Sequence, residues 1–334
     1  MSEVLQKQTE QKRSEPSTGG GAPERPSRPN RLLRYVKALC GLSRAAQATL
    51  STAQPLVAAL VVDDDPDPAR FLLLACAMLA VFLATFAAND VLDHRLDRAR
   101  FAHEERDFSG FDIDTVGVRH PLARGELPYR VAVMWVVGLG ALGTAVTAWL
   151  SPVSFVVLVV AVALEVAYCK LATVSALKCL LSGVVVAVGA CAGALAVPGP
   201  VPWPALGLLC LWLAAWEIGG RNIPNDFVDA GEDTRLGIRT VPVVLGPAAA
   251  VRCAAVALLV AGVSAVALAL YLTDSYGVSG VTITALATVF LLLGPGVRLL
   301  REPSAAAAMA VFNRATWHPP AVLAAFAAAL ALPR

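Results

Sequence analysis

The chain has 334 residues, of which 57% are hydrophobic and only 16% charged, with a net charge of +2 and a mean hydropathy of +0.65. Soluble domains run at roughly 45–50% apolar and about 25% charged. The composition therefore excludes a disordered chain, a collagen-like chain and a small disulfide scaffold, and so small a net charge implies no nucleic-acid partner. It predicts an integral membrane protein whose solvent is lipid.

Residues 1–33 are read as a disordered polar tail, punctuated by Gly19-Gly20-Gly21 and by prolines at 16, 23, 26 and 29. No apolar run follows Met1, so a signal peptide is not expected. Residues 34–333 are expected to form one transmembrane domain. Its apolar segments fall at about 38–62, 70–90, 129–150, 152–170, 179–197, 203–222, 247–272, 277–300 and 305–332. Most approach the ~20 residues that cross ~30 Å of hydrocarbon. The fourth carries Glu165, and the last is interrupted by Asn313, Arg314, His318 and Pro319-Pro320. Alternation of apolar and polar residues, the mark of a closed barrel, is absent. The expectation is an all-α polytopic bundle of about nine transmembrane helices.

Lys and Arg set the orientation. They crowd the N-terminal tail and the even-numbered connections. The odd-numbered connections 63–69, 151–152, 198–203 and 273–277 hold none, although Arg70 borders the first. This predicts a cytosolic N-terminus and an external C-terminus. The two long connections, 91–128 and 223–246, would then both be cytosolic, and long loops carry function more often than short ones. The Ala-, Val-, Leu- and Arg-rich character suggests a high-GC bacterial gene and hence a bacterial cell membrane. The seven cysteines form no CxxC and no Cys/His cluster. They read as small buried hydrophobes.

Chemistry concentrates at two helix ends. The second segment ends in Asn89-Asp90-Val91-Leu92-Asp93-His94-Arg95-Leu96-Asp97, and the sixth leads into Asn225-Asp226-Phe227-Val228-Asp229-Ala230-Gly231-Glu232-Asp233. Both read NDxxDxxxD, beginning 225 − 89 = 136 residues apart. Carboxylates at i, i+3 and i+7 share one helix face. Near a helix C-terminus, where the macrodipole is already negative, they repel one another unless cations intervene. Hard oxygen ligands without a thiolate or histidine cluster select Mg²⁺, which prefers one or two carboxylates plus substrate phosphates. Two facing clusters could hold a diphosphate through Mg²⁺. The acidic run at 63–67 has no counterpart and reads as solvated charge.

Arg119, His120 and Arg124 follow the first motif, and Arg235 and Arg239 follow the second. Tyr168, Lys170 and Lys178 are placed in a third cytosolic connection. These are candidate diphosphate donors, or equally topology and headgroup residues. Arg44 within the first helix, Glu165, and Glu217 one turn before Arg221 are functional suspects as intramembrane charges, with Arg44 and Glu217 placed at an acceptor or cavity site. Glu217 and Arg221 can also simply pair, and Trp212 and Trp216 can line a cavity or pack.

At these motifs the sequence resembles the UbiA superfamily of intramembrane prenyltransferases. The matching stretches are NDVLDHRLD (89–97), RHPLARGELP (119–128) and NDFVDAGEDTRLGIRTVPVVLG (225–246), with Tyr168 and Lys178 as a Tyr…Lys pair. The resemblance implies Mg²⁺-dependent transfer of an isoprenyl group from an allylic diphosphate to a lipophilic or aromatic acceptor, such as a quinone precursor. It implies that Asn89, Asp90, Asp93 and Asp97 form one metal-diphosphate site and that Asp226, Asp229 and Asp233 form the other. Asp93, Asp229, Lys178 and Tyr168 would be catalytic, with Arg119, Arg124, Arg235 and Lys170 as further diphosphate ligands. Three departures stand out: the longer stretch from Asp97 to Arg119, Asn222-Ile223-Pro224-Asn225 where many members have a basic residue, and Cys179 where an Arg is frequent. A membrane terpene cyclase on the same scaffold is an alternative, and an ion-coupled carrier is another. The carrier fits less well, because carrier sites lie near mid-membrane on broken helices.

Overall fold

The computed structural model describes residues 31–101 and 120–331, without the side chains of 31, 93 and 95–101. Residues 1–30 of the expected tail, Arg119 and most of the long stretch after Asp97 lie outside the described residues, whereas 31–33, expected to be disordered, open a helix. The chain divides into Met1–Arg34 and the compact unit Tyr35–Arg334. The described residues form helices and the short connections between them, with no strand, as lipid demands: a helix satisfies its own backbone hydrogen bonds where no water can.

The helices are α1 Arg31–Leu42, α2 Ala45–Ser51, α3 Ala53–Val62, α4 Pro68–Phe101, α5 Tyr129–Leu150, α6 Pro152–Leu171 and α7 Lys178–Ala194. Then come α8 Trp203–Trp216, a π-helical turn Glu217–Asn222, α9 Ile223–Leu236, α10 Val241–Leu245 and α11 Pro247–Tyr271. The chain ends with α12 Thr273–Thr288, a second π turn Val289–Leu293, α13 Gly294–Arg301, α14 Ala305–Thr316 and α15 His318–Ala331. Among the described residues seven segments have the length and hydropathy to cross a membrane. The two other segments expected to cross are the shorter α7 and the α14–α15 pair. The pair is broken at Trp317, just ahead of the prolines of the last segment.

Local chemistry sets the boundaries. Ser151 and Ser304 cap α6 and α14 by accepting from the N–H groups of Ser154 and Ala307. Asp67 accepts from the Arg70 N–H at 2.8 Å and so starts α4; part of the acidic run is thus a cap rather than solvated charge. Arg70 donates from Nη2 to the Leu150 carbonyl at 2.6 Å and from Nε to the Ala196 carbonyl at 3.3 Å. The one arginine bordering an odd-numbered connection therefore satisfies carbonyls left open at two helix C-termini. Arg44 does not lie within a helix: it adopts φ 43° at a left-handed turn between α1 and α2.

The helices pack in chain order: α4 on α5, α5 on α6, α6 on α7, α7 on α8, α8 on α11, α11 on α12 and α12 on α15. The last returns to the first, because α15 packs on α3, which also lies against α7. Trp212 and Trp216 are core residues. Their indole N–H groups donate to His318 Nδ1 at 3.2 Å and to the Ala315 carbonyl at 2.7 Å. Because Nδ1 accepts, the neutral His318 ring carries its proton on Nε2 and donates to Thr288 Oγ1 at 3.0 Å. The cysteines depart from the expectation: only Cys179 is buried, and Cys76 and Cys253 are exposed on the outer surface. Exposed apolar residues such as Val137, Leu142, Leu259 and Phe290 populate that same surface. In a lipid solvent burial is not the only comfortable place for a small apolar side chain.

Small residues bring helices close where no hydrophobic drive exists between them. A Cβ on Gly193 of α7 would stand 2.0 Å from the Pro55 carbonyl oxygen of α3. Gly193→Ala should therefore destabilise by about 1–3 kcal/mol through overpacking. Gly138→Ala, where a Cβ meets nothing within 4 Å, should be neutral or slightly stabilising. Melting temperatures of the two variants in detergent check the contrast.

Candidate active site

One cavity of ≈ 260 Å³ opens among α2, α3, α4, α6, α7 and the α8–π–α9 segment. At its mouth the first residue of α7 meets the second acidic motif: Lys178 Nζ lies 2.8 Å from Asp226 Oδ1, both side chains buried. Tyr168 and Lys170 are not in a connection. They sit in the last turn of α6, and only 172–177 separate α6 from α7. Asn222 donates from Nδ2 to the Tyr168 hydroxyl at 3.2 Å. Across the opening, Asn89 of the first motif donates to Glu165 Oε1 at 3.3 Å, and the Cys169 thiol donates to Asn89 Oδ1 at 3.5 Å.

One turn further in, Ser182 donates to Glu217 Oε1 at 2.8 Å. Arg221 lies with Nε 3.6 Å from Glu217 Oε2 and donates from Nη2 to Gln47 Oε1 at 2.9 Å. Its guanidinium also faces the Trp216 and Phe312 rings at 5.5 and 5.1 Å. The π turn makes this possible. It holds one more residue per turn than an α-helix and so sets the phase between Glu217 and Asp226. Gly219 and Gly220 let it lie against α11 and α14: a Cβ on Gly219 would come within 2.6 Å of the Ala254 carbonyl oxygen.

Of the candidate metal ligands, Asn89 and Asp226 line the cavity. Asp90 is buried, with Arg44 Nη2 at 3.9 Å and His120 Nδ1 at 3.5 Å from its Oδ1. Asp229 and Asp233 follow Asp226 along α9 at helical spacing, while the side chains of Asp93 and Asp97 lie outside the described residues. Of the basic candidates, Lys178 and Arg44 line the cavity, whereas Lys170, Arg124 and Arg235 are exposed and do not line it. Glu217 and Tyr168 line it as well.

Among the described residues no three carboxylate, histidine or cysteine side chains converge as a metal group. The donor set still suits a hard cation shared with a ligand. Asp226 Oδ2 and Asn222 Oδ1 are buried without a hydrogen-bond partner, and unpaired buried oxygens are costly unless something binds them. Sequence reasoning missed Gln47, Ser182 and Asn222 as cavity groups. A signal existed for Gln47, which with Gln54 is one of two amides within an apolar segment.

The model of the UbiA prenyltransferase family matches residues 49–318. This chain belongs to that family. No curated protein matches it. Among solved structures, a digeranylgeranylglyceryl phosphate synthase is 18% identical with TM-score 0.62, over 90% of this chain and 99% of its own. A UbiA homologue from Aeropyrum pernix K1 is 21% identical with TM-score 0.62, over 84% and 97%. A UbiA homologue from Archaeoglobus fulgidus, bound to DMAPP and Mg²⁺, is 16% identical with TM-score 0.61, over 89% and 100%. At these identities the likeness is one of fold: an all-helical membrane bundle of the UbiA type.

The Lys178–Asp226 pair gives a stability test that needs no substrate. Lys178→Met leaves Asp226 as an uncompensated buried charge and should cost about 3–5 kcal/mol. The double variant Lys178→Met/Asp226→Leu should recover most of that loss. Thermal melts of the single and double variants measure it.

Proposed function

We propose that this UbiA family member transfers an isoprenyl group from an allylic diphosphate to a lipophilic or aromatic acceptor, such as a quinone precursor, with Mg²⁺ as cofactor. The observation that carries the reading is the cavity itself. A buried lysine, a tyrosine and unpaired carboxylate and amide oxygens meet at the mouth of an apolar, aromatic-walled pocket. That is one end for a metal-bound diphosphate and one for a hydrocarbon. The A. fulgidus homologue bound to DMAPP and Mg²⁺ supports it by analogy.

In this reading Asn89, Asp90, Asp93 and Asp97 on one side, and Asp226, Asp229 and Asp233 on the other, would hold the metal and its diphosphate. Mg²⁺, when bound, supplies charge neutralisation for the leaving diphosphate. Lys178 and Tyr168 donate to the diphosphate oxygens and stabilise charge that develops there as the allylic C–O bond breaks. Arg119, Arg124, Arg235 and Lys170 would serve as further diphosphate ligands in this reading. Phe82, Phe86 and Phe312 line the pocket, where their faces stabilise the allylic cation and their bulk excludes water. The acceptor then bonds to the allylic carbon, and the proton it displaces passes to the released diphosphate. We assign this chemistry to residues 34–333, with the N-terminus and both Asp-rich motifs on the cytosolic side of a bacterial cell membrane.

Asp93→Ala and Asp229→Ala should each lower turnover of geranyl diphosphate at least about 100-fold with little change in melting temperature, because each removes a metal ligand rather than packing. Unchanged activity in both variants would sink the two-cluster assignment. In a detergent product assay, EDTA should abolish diphosphate release, and release should yield a prenylated acceptor. A cyclic hydrocarbon formed without any acceptor would assign a cyclase instead.

A further inference from the structure

The cavity has two chemically different walls. From α4, α6 and α7 come apolar groups such as Met78, Phe82, Leu158 and Val186. From α2–α3 and the turn before them come Arg44, Gln47, Ser51 and Gln54, at i, i+3, i+7 and i+10, and all four line the same cavity. This spacing keeps Gln47, Ser51 and Gln54 on one face of the near-continuous α2–α3 helix, with Arg44 at the left-handed turn just ahead of it. At 1.5 Å per residue the helical part of the stripe descends about 10 Å from Gln47 to Gln54.

Gln54 is 3% exposed, lines the cavity, and has no hydrogen-bond partner among the described residues. A buried primary amide in that state costs free energy unless the cavity's occupant pairs with it. A hydrocarbon tail offers no such pairing. An anion is disfavoured as well. Arg221 is ion-paired with Glu217 and donates to Gln47, its buried Nε–H lacking a hydrogen-bond acceptor, while Glu165 and Glu217 both present carboxylates to the cavity. What fits is a neutral molecule that donates and accepts hydrogen bonds.

We propose that the Gln47–Ser51–Gln54 stripe, with the Glu217–Arg221 pair, is the acceptor subsite, and that it selects an uncharged, hydroxyl- or carbonyl-bearing acceptor over a carboxylated one. The inference rests on the prenyl-transfer reading and deepens it. The isoprenyl chain lies along the apolar wall, and the acceptor's oxygen functions lie along the polar one. The walls thus bring the acceptor ring and the allylic carbon face to face without a shared contact.

Equilibrium binding to the full-length protein in detergent tests this, with Mg²⁺ and geranyl S-thiolodiphosphate present, an analogue whose C–S bond resists ionisation, and a matched pair of probes, hydroquinone and 2,5-dihydroxybenzoate. Hydroquinone should bind at least about ten-fold more tightly, a difference of about 1.4 kcal/mol. Gln54→Met, close in shape but without the amide, should weaken hydroquinone about ten-fold and leave affinity for the diphosphate analogue within about two-fold. Ser51→Ala, a milder change that keeps the fold if Gln54→Met does not, should weaken hydroquinone about three-fold. Equal or better binding of the carboxylated probe, no hydroquinone binding, or unchanged hydroquinone affinity in both variants would overturn the proposal and leave the stripe a solvent-lined wall. Failure of the wild type to bind the diphosphate analogue is a separate result: it overturns the prenyl-transfer reading and this inference with it.

Discussion

A lysine and an aspartate held 2.8 Å apart where two helices of a lipid-facing bundle meet constrain much of what surrounds them. Charges withdrawn from water must be paired and must face inward. Lys178 opens α7 and Asp226 lies in the first turn of α9. Their contact therefore fixes the height of α7 against the α8–π–α9 segment. The inner layer inherits this register, with Ser182 four residues after Lys178 meeting Glu217. Polar groups are stacked as a column inside the bundle, and the outer surface is left to valine, leucine and phenylalanine.

The same constraint ties the helices around the pocket to one another. Each polar group of the inner layer is tied to a different helix: Gln47 on α2, Ser182 on α7, Arg221 on the π turn. Glycine brings the backbones near enough for these short links. Where larger contacts are needed, aromatic side chains provide them, as in the stacking of Tyr276 on Phe326 at 4.2 Å. The site is in this sense made by the fold rather than carried on a loop.

Much of this was legible in the chain. Hydropathy located the helical segments, and the repeated NDxxDxxxD pattern picked out α4 and α9 because carboxylates at helical spacing have few other uses at a membrane edge. Lys178 and Tyr168 were legible through their resemblance to a family pair. What stayed hidden depends on phase. The π turn has no sequence mark beyond Gly219-Gly220, so the meeting of Glu217 with Ser182 could not be read from spacing. The left-handed turn at Arg44 lacks the glycine that would announce it. Lys170, Arg124 and Arg235 looked like ligands through their place in the sequence, yet they are exposed and do not line the cavity. Gln47, Ser51 and Gln54 went unread, because polar residues at helical spacing acquire meaning only when the space they face is known.

The return of α15 onto α3 has a bearing on how the protein is made. The Tyr276 hydroxyl donates to the Leu60 carbonyl across 216 residues, and pairings of that span form late. A nascent chain emerging from the N-terminal side inserts the Gln47–Gln54 wall first and acquires its final covering helix last. Through most of synthesis the bundle is a crescent, its polar inner wall open sideways, and insertion machinery or neighbouring lipids must shield that wall until the C-terminal helix arrives to shut the ring.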